Sequence, residues 1–192
     1  MQIWNVEFSE ELYQQAKNYF LWLGRSDFLL KSKLSLCGRC CISEKMRELW
    51  FVDFVPEDRI YQCWIYTYAI SHSHEQLFFA VDEQNVTVDV EWMIPRDEGL
   101  LVWISDFWLG LEIWEVFYLQ WTAKECIVKY LNLLAEDMNR MKIESIKVQE
   151  DKSIKIGEYE IEVDYLWKKY SVSSWFENWY CFWIMYWKQS GN

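Results

Sequence analysis

Six glycines, two prolines and two histidines in 192 residues leave little material for several kinds of chemistry. The chain contains no G-x-x-x-x-G-K, G-x-G-x-x-G, G-x-S-x-G or H-E-x-x-H, so phosphate-cradling loops, a nucleophile elbow and the helical zinc-protease motif are all missing. His72 and His74 are the sole imidazoles available for proton transfer near neutral pH. Basic charge is scarce too: 19 Lys and Arg stand against 30 Asp and Glu, a formal net charge of −11. Direct nucleic-acid binding draws its affinity from phosphate neutralisation, so this balance disfavours it and makes a basic protein the natural complement.

Long apolar runs are also lacking. A spanning helix needs about 20 predominantly apolar residues. The run Trp179–Trp187 is too short, and Leu100–Trp121 carries Asp106, Glu112 and Glu115 without orienting basic flanks. The expectation is no membrane span. The N-terminus, M-Q-I-W-N-V-E-F-S-E-E, shows no basic leader followed by an apolar stretch, which predicts cytoplasmic residence. In a reducing compartment Cys37, Cys40, Cys41, Cys63, Cys126 and Cys181 are expected as buried thiols without structural disulfides.

What the chain has in abundance is aromatic mass: 14 Trp, 12 Tyr and 11 Phe. That payload excludes disorder for the body of the chain. The length fits one domain, residues 1–192, able to remove roughly 70% of its chain surface from water.

Periodicity predicts an α+β fold built mainly on an antiparallel meander. Ser9-Glu10-Glu11 caps a helix whose Leu12, Ala16, Tyr19 and Leu23 share one face before Gly24. After a basic and polar stretch, 25–48, strand-like runs follow at Trp50–Val55, Ile60–Ile70, Gln76–Val81, Val86–Ile94, Leu100–Ile104 and Leu111–Gln120. In V-T-V-D-V-E-W, Val86, Val88, Val90 and Trp92 alternate with Thr87, Asp89 and Glu91, the pattern of a sheet with one wet face. Thr122-Ala-Lys-Glu125 reads as a capping box opening a long helix near 122–141, with Ile127, Tyr130, Leu131, Leu134, Met138 and Met141 inward. Ile146–Val148, I-K-I at 154–156 and Y-E-I-E-V-D-Y at 159–165 extend the sheet around Gly157.

The tail W-F-E-N-W-Y-C-F-W-I-M-Y-W-K, Trp175 to Lys188, allows two structures. Ser174 with Glu177 matches a capping box and favours a helix, whereas the unbroken aromatic run also suits a strand buried on both faces. Either way most of it is core. Its outermost members, Trp175, Trp179, Trp183, Trp187 and Glu177, are the candidates for partner contact, because Trp anchors interfaces.

Metal and enzyme readings rest on few residues. Cys37-Gly38-Arg39-Cys40, joined by His72 and His74, has the ligand types of a zinc site, but one C-x-x-C and a turn-borne histidine pair are a thin signal. The sequence predicts a protein without cofactor or metal. An enzyme acting on a small molecule or nucleotide would use His72 or His74 with a carboxylate such as Glu75 or Asp53, or carboxylates alone. The economical expectation is a non-enzymatic acidic inhibitor that neutralises a basic, nucleic-acid-acting protein, of the bacterial toxin-immunity or phage anti-defence type.

Overall fold

In the computed structural model the described residues are 1–49, 51, 54–57, 60–63, 65–95, 110–149 and 158–186. The fold is α+β, with two antiparallel sheets and their helices. Two compact units divide the chain, Met1–Val86 and Thr87–Asn192.

The first unit begins with β1 (Gln2–Glu7), a strand the sequence reading leaves unassigned. Helix α1 (Glu10–Trp22) starts where expected: the Ser9 hydroxyl accepts the Leu12 N–H at 3.1 Å. It stops before Gly24, whose φ of 72° suits a residue without Cβ. The basic and polar stretch 25–48, to which the periodicity assigns no element, contains helix α2 (Lys33–Glu48), capped by the Ser32 hydroxyl. Its buried surface mixes Leu36, Ile42 and Met46 with small and sulfur-bearing residues, Cys37, Gly38, Cys40 and Cys41, which do not by themselves announce a core.

Strands β2 (Ile60–Cys63), β3 (Tyr66–Ser73) and β4 (Gln76–Asp82) complete a sheet of order β1-β4-β3-β2. The predicted run 60–70 is thus two strands. Helix α2 lies on β3 and β4, with α1 against α2. The approach is close, since a Cβ placed on Gly38 would stand 2.8 Å from Ile70 Cγ2. Of the run Trp50–Val55, the described Phe51, Phe54 and Val55 are not strand.

The second unit is a five-stranded sheet, β5-β9-β8-β7-β6, carrying helix α3. Strand β5 is Val86–Trp92, and α3 is Ile113–Leu131. A strand expected over Leu111–Gln120 is therefore helix, and the long helix starts nine residues before Thr122. Aromatic bulk at 114–121 mimics a strand, but its Val116, Phe117 and Leu119 and the later Ala123, Cys126 and Ile127 form one buried stripe. Thr122 sits mid-helix, where its hydroxyl donates back to the Tyr118 carbonyl at 2.7 Å. The helix also ends earlier than 141. Asn132 takes a left-handed φ of 53°, and a 3₁₀ turn at Ala135–Arg140 leads into β6 (Lys142–Val148).

Strand β7 (Tyr159–Tyr165) alternates cleanly, burying Tyr159, Ile161, Val163 and Tyr165. Strands β8 (Lys168–Glu177) and β9 (Tyr180–Tyr186) resolve the ambiguity of the tail: it is a hairpin, not a helix. Ser174 is no cap, as its hydroxyl faces the Cys181 sulfur at 3.6 Å inside the core. The runs expected at Leu100–Ile104 and 154–156 lie outside the described residues. Among the described residues, no helix is long and apolar enough to cross a membrane.

Candidate functional site

Two features of the second unit carry polar or exposed chemistry. The first lies between β5 and α3. Asp89, expected on a wet face, is 1% exposed, and Thr87 beside it is buried as well. Val86, Val88 and Val90 are also buried, so both faces of β5 are covered and its alternation separates two interiors rather than core from water. Helix spacing brings Glu125 and Lys129, four residues apart, to the same side of α3.

Lys129 Nζ donates to Asp89 Oδ1 in an ion pair, and Asp89, Glu91 and Glu125 bring carboxylate oxygens within 4.8 Å of one another. Burial pushes the Glu125 carboxyl up to about 8, with the Asp89 charge and a hydrogen bond to Asp89 adding to it. Lys129 is held above its ordinary value by Asp89 and Glu125 despite its burial. The arrangement is a charged Asp89–Lys129 pair beside a Glu125 that keeps its proton near neutrality. It ties α3 to β5, and its oxygen donors are of the type that hard cations use.

The second feature is at the β8–β9 turn. The register pairs Glu177 with Tyr180, leaving Asn178 and Trp179 as a two-residue loop with φ of 49° and 67°. Positive φ at both positions is the requirement of a type I′ turn, which favours Asn-Gly. Tryptophan occupies the glycine position here and is 66% exposed. Its ring lies nearly parallel to that of Trp114 in the first turn of α3, with centroids 6.4 Å apart. The backbone is fixed from behind, as the Trp179 carbonyl accepts the Met93 N–H at 2.8 Å.

The candidate contact residues thus separate. Trp179 and Glu177 are exposed at the end of the hairpin. Trp175 is half-buried and stacks on Phe182 at 5.3 Å. Trp183 is fully buried, its indole N–H pointing to the Cys181 sulfur at 2.9 Å, and is removed from the contact set because β9 is an interior strand covered on both faces. Trp187 lies outside the described residues.

The zinc candidates do not assemble. Cys37 and Cys40 are buried in α2 among Ala16, Phe20, Phe28 and Leu77. Burial raises their thiols to about 11 and about 12, the opposite of an activated nucleophile. His72 lies within β3, opposite Leu77, and not in the turn; His74 occupies the turn at φ 51°. Among the described residues, these four do not converge, and Asp89-Glu91-Glu125 is the grouping that does. The sequence reading missed Trp114, hidden in a run taken for strand, and the Asp89–Glu125–Lys129 cluster, for which the polar members of V-T-V-D-V-E-W were the available signal.

Comparison of the sequence with protein-family models and with curated proteins finds no match.

Proposed function

We propose that the protein is a stoichiometric binder: an acidic inhibitor that occupies and neutralises a basic, nucleic-acid-acting protein in the manner of toxin-immunity or phage anti-defence proteins. The observation that carries this reading is Trp179, a large apolar side chain displayed at a hairpin tip of a chain with net charge −11. Excess carboxylates raise the encounter rate with a cationic surface, and an exposed tryptophan supplies the desolvated contact that slows departure.

The test is protection. The chain is co-expressed with the product of the gene adjacent to its own, and survival and one-to-one co-purification are measured. Protection with a basic partner whose association slows in salt supports the reading; no protection and no complex sinks it.

A second reading follows from the Asp89-Glu91-Glu125 grouping, in which Glu125 holds a transferable proton near neutral pH. It makes the protein a carboxylate enzyme acting on a small molecule or nucleotide. Loss of biological activity in Glu125→Gln with an unchanged fold favours it over binding.

A further inference from the structure

We infer that Trp179 and Trp114 form the anchor of an interface that receives an arginine-rich segment of a basic protein. This rests on the binding reading above and names its surface.

The geometry begins with two indoles on separate elements, one at the tip of β8–β9 and one in the first turn of α3, nearly parallel at 14°. Ile113, the neighbour of Trp114, is 57% exposed, so apolar surface continues along the helix start. The two stretches that build the patch, Glu112–Glu115 and Glu177–Tyr180, contain three carboxylates and no lysine or arginine. Glu112 and Glu177 are exposed, while Glu115 accepts the Glu112 N–H at 2.8 Å and is thereby fixed in place.

The apolar centre and the carboxylates on the two stretches that carry it select the occupant. A guanidinium is planar, stacks on indole faces and forks onto carboxylates, whereas an ammonium is a compact, strongly hydrated point charge. Arginine therefore gains from both parts of the patch and lysine mainly from the carboxylates.

The other hairpin tip provides the control. Leu166 and Trp167, between β7 and β8, also form a two-residue loop at positive φ, and Trp167 is 96% exposed. That tip is followed by Lys168 and Lys169, and it stands at the opposite end of β8 from Trp179.

The experiment uses the full chain and labelled oligo-arginine and oligo-lysine peptides of equal length, with anisotropy as readout and thermal melts for each variant. Wild type is expected to prefer oligo-arginine. Trp179→Ala should weaken that binding about tenfold or more and abolish the preference over lysine. Glu112→Lys and Glu177→Lys, both on exposed positions, should weaken both peptides and flatten the salt dependence; Trp167→Ala should change neither. If Trp114→Ala fails to fold, Trp179→Ala and Glu177→Lys decide. Equal affinity for the two peptides in wild type, or unchanged arginine binding in Trp179→Ala, overturns the inference. A wild-type chain that protects cells while Trp179→Ala protects equally well places the interface elsewhere and leaves the inhibitor reading standing. Absence of both protection and a complex with wild type removes that reading itself.

Discussion

Asp89 of β5 and Lys129 of α3 form an ion pair in which the carboxylate is buried and Glu125 is the shared neighbour. Removing one member leaves the other charge in a poorly solvated place. Lys129→Met should therefore cost about 3 kcal/mol or more, read as a fall in denaturant midpoint.

The same cluster sets a pH dependence. Glu125 in the folded chain titrates at about 8 against an ordinary 4.5, with Asp89, Glu91, Lys129 and Cys126 around it. Between those values the folded state holds a proton that the unfolded state has released. Its contribution to stability is therefore greatest below about 4.5 and declines as pH rises through about 8. Urea midpoints measured across this window should fall for wild type and flatten for Glu125→Gln. A wild-type midpoint that rises over the same range would contradict the assignment.

Gly38 is where α2 meets β3. Alanine there gains about 1 kcal/mol of helix propensity but drives a methyl into Ile70, a stiff β-branched neighbour, at a cost of about 1–3 kcal/mol. The expected outcome of Gly38→Ala is net destabilisation by chemical denaturation. A gain in stability would mean that α2 moves away from the sheet freely.

The β7–β8 turn offers the reverse case. Trp167 adopts φ 66° with almost no cover, so Trp167→Gly should raise stability by about 0.5–1 kcal/mol, more in combination with Leu166→Asn. A lowered melting temperature in both variants would show that the exposed ring contributes more than its backbone costs.

The thiols of Cys37, Cys40, Cys41, Cys126 and Cys181 are free and buried, and burial raises each above the ordinary thiol range. Native alkylation should leave all five unmodified, as read by peptide mass mapping, with full labelling only in denaturant. Rapid native labelling of Cys37 or Cys40 would reopen a redox or metal role for α2.

How much of this was legible depends on which interactions decide each element. The first helix followed from Ser9 and Gly24 because cap and stop act locally. Strand β7 followed from its alternation because one rule, inward against outward, governs it. Helix α2 was not legible, since Cys, Gly, Ser and a buried Arg39 are interspersed with Leu36, Ile42 and Met46 on its buried surface and blur the apolar stripe. Thr122 and Ser174 each headed a capping-box pattern and neither caps a helix, as four residues cannot report the neighbours, Tyr118 and Cys181, that take the hydroxyl instead. At the site, Trp179 and Glu177 were nameable from the tail alone. Their companion Trp114 was not, because the sequence does not say that the start of α3 lies beside a turn 65 residues later (179 − 114).

Strand β9 lies between β5 and β8, so β5 has its sheet partner only after residues 93–179 have been placed. During synthesis β5 leaves the ribosome early and waits, with its ladder groups unpaired, until Tyr180–Tyr186 follows. The β6–β7–β8 meander has only neighbouring partners and can form first. The late step is then a closure in which β9 is threaded against a strand made almost a whole unit earlier, bringing Asp89 to Lys129 and Met93 to Trp179 together. A chain interrupted after Glu177 would leave β5 without its neighbour and β8 as an open edge, the kind of surface that recruits strands from other molecules.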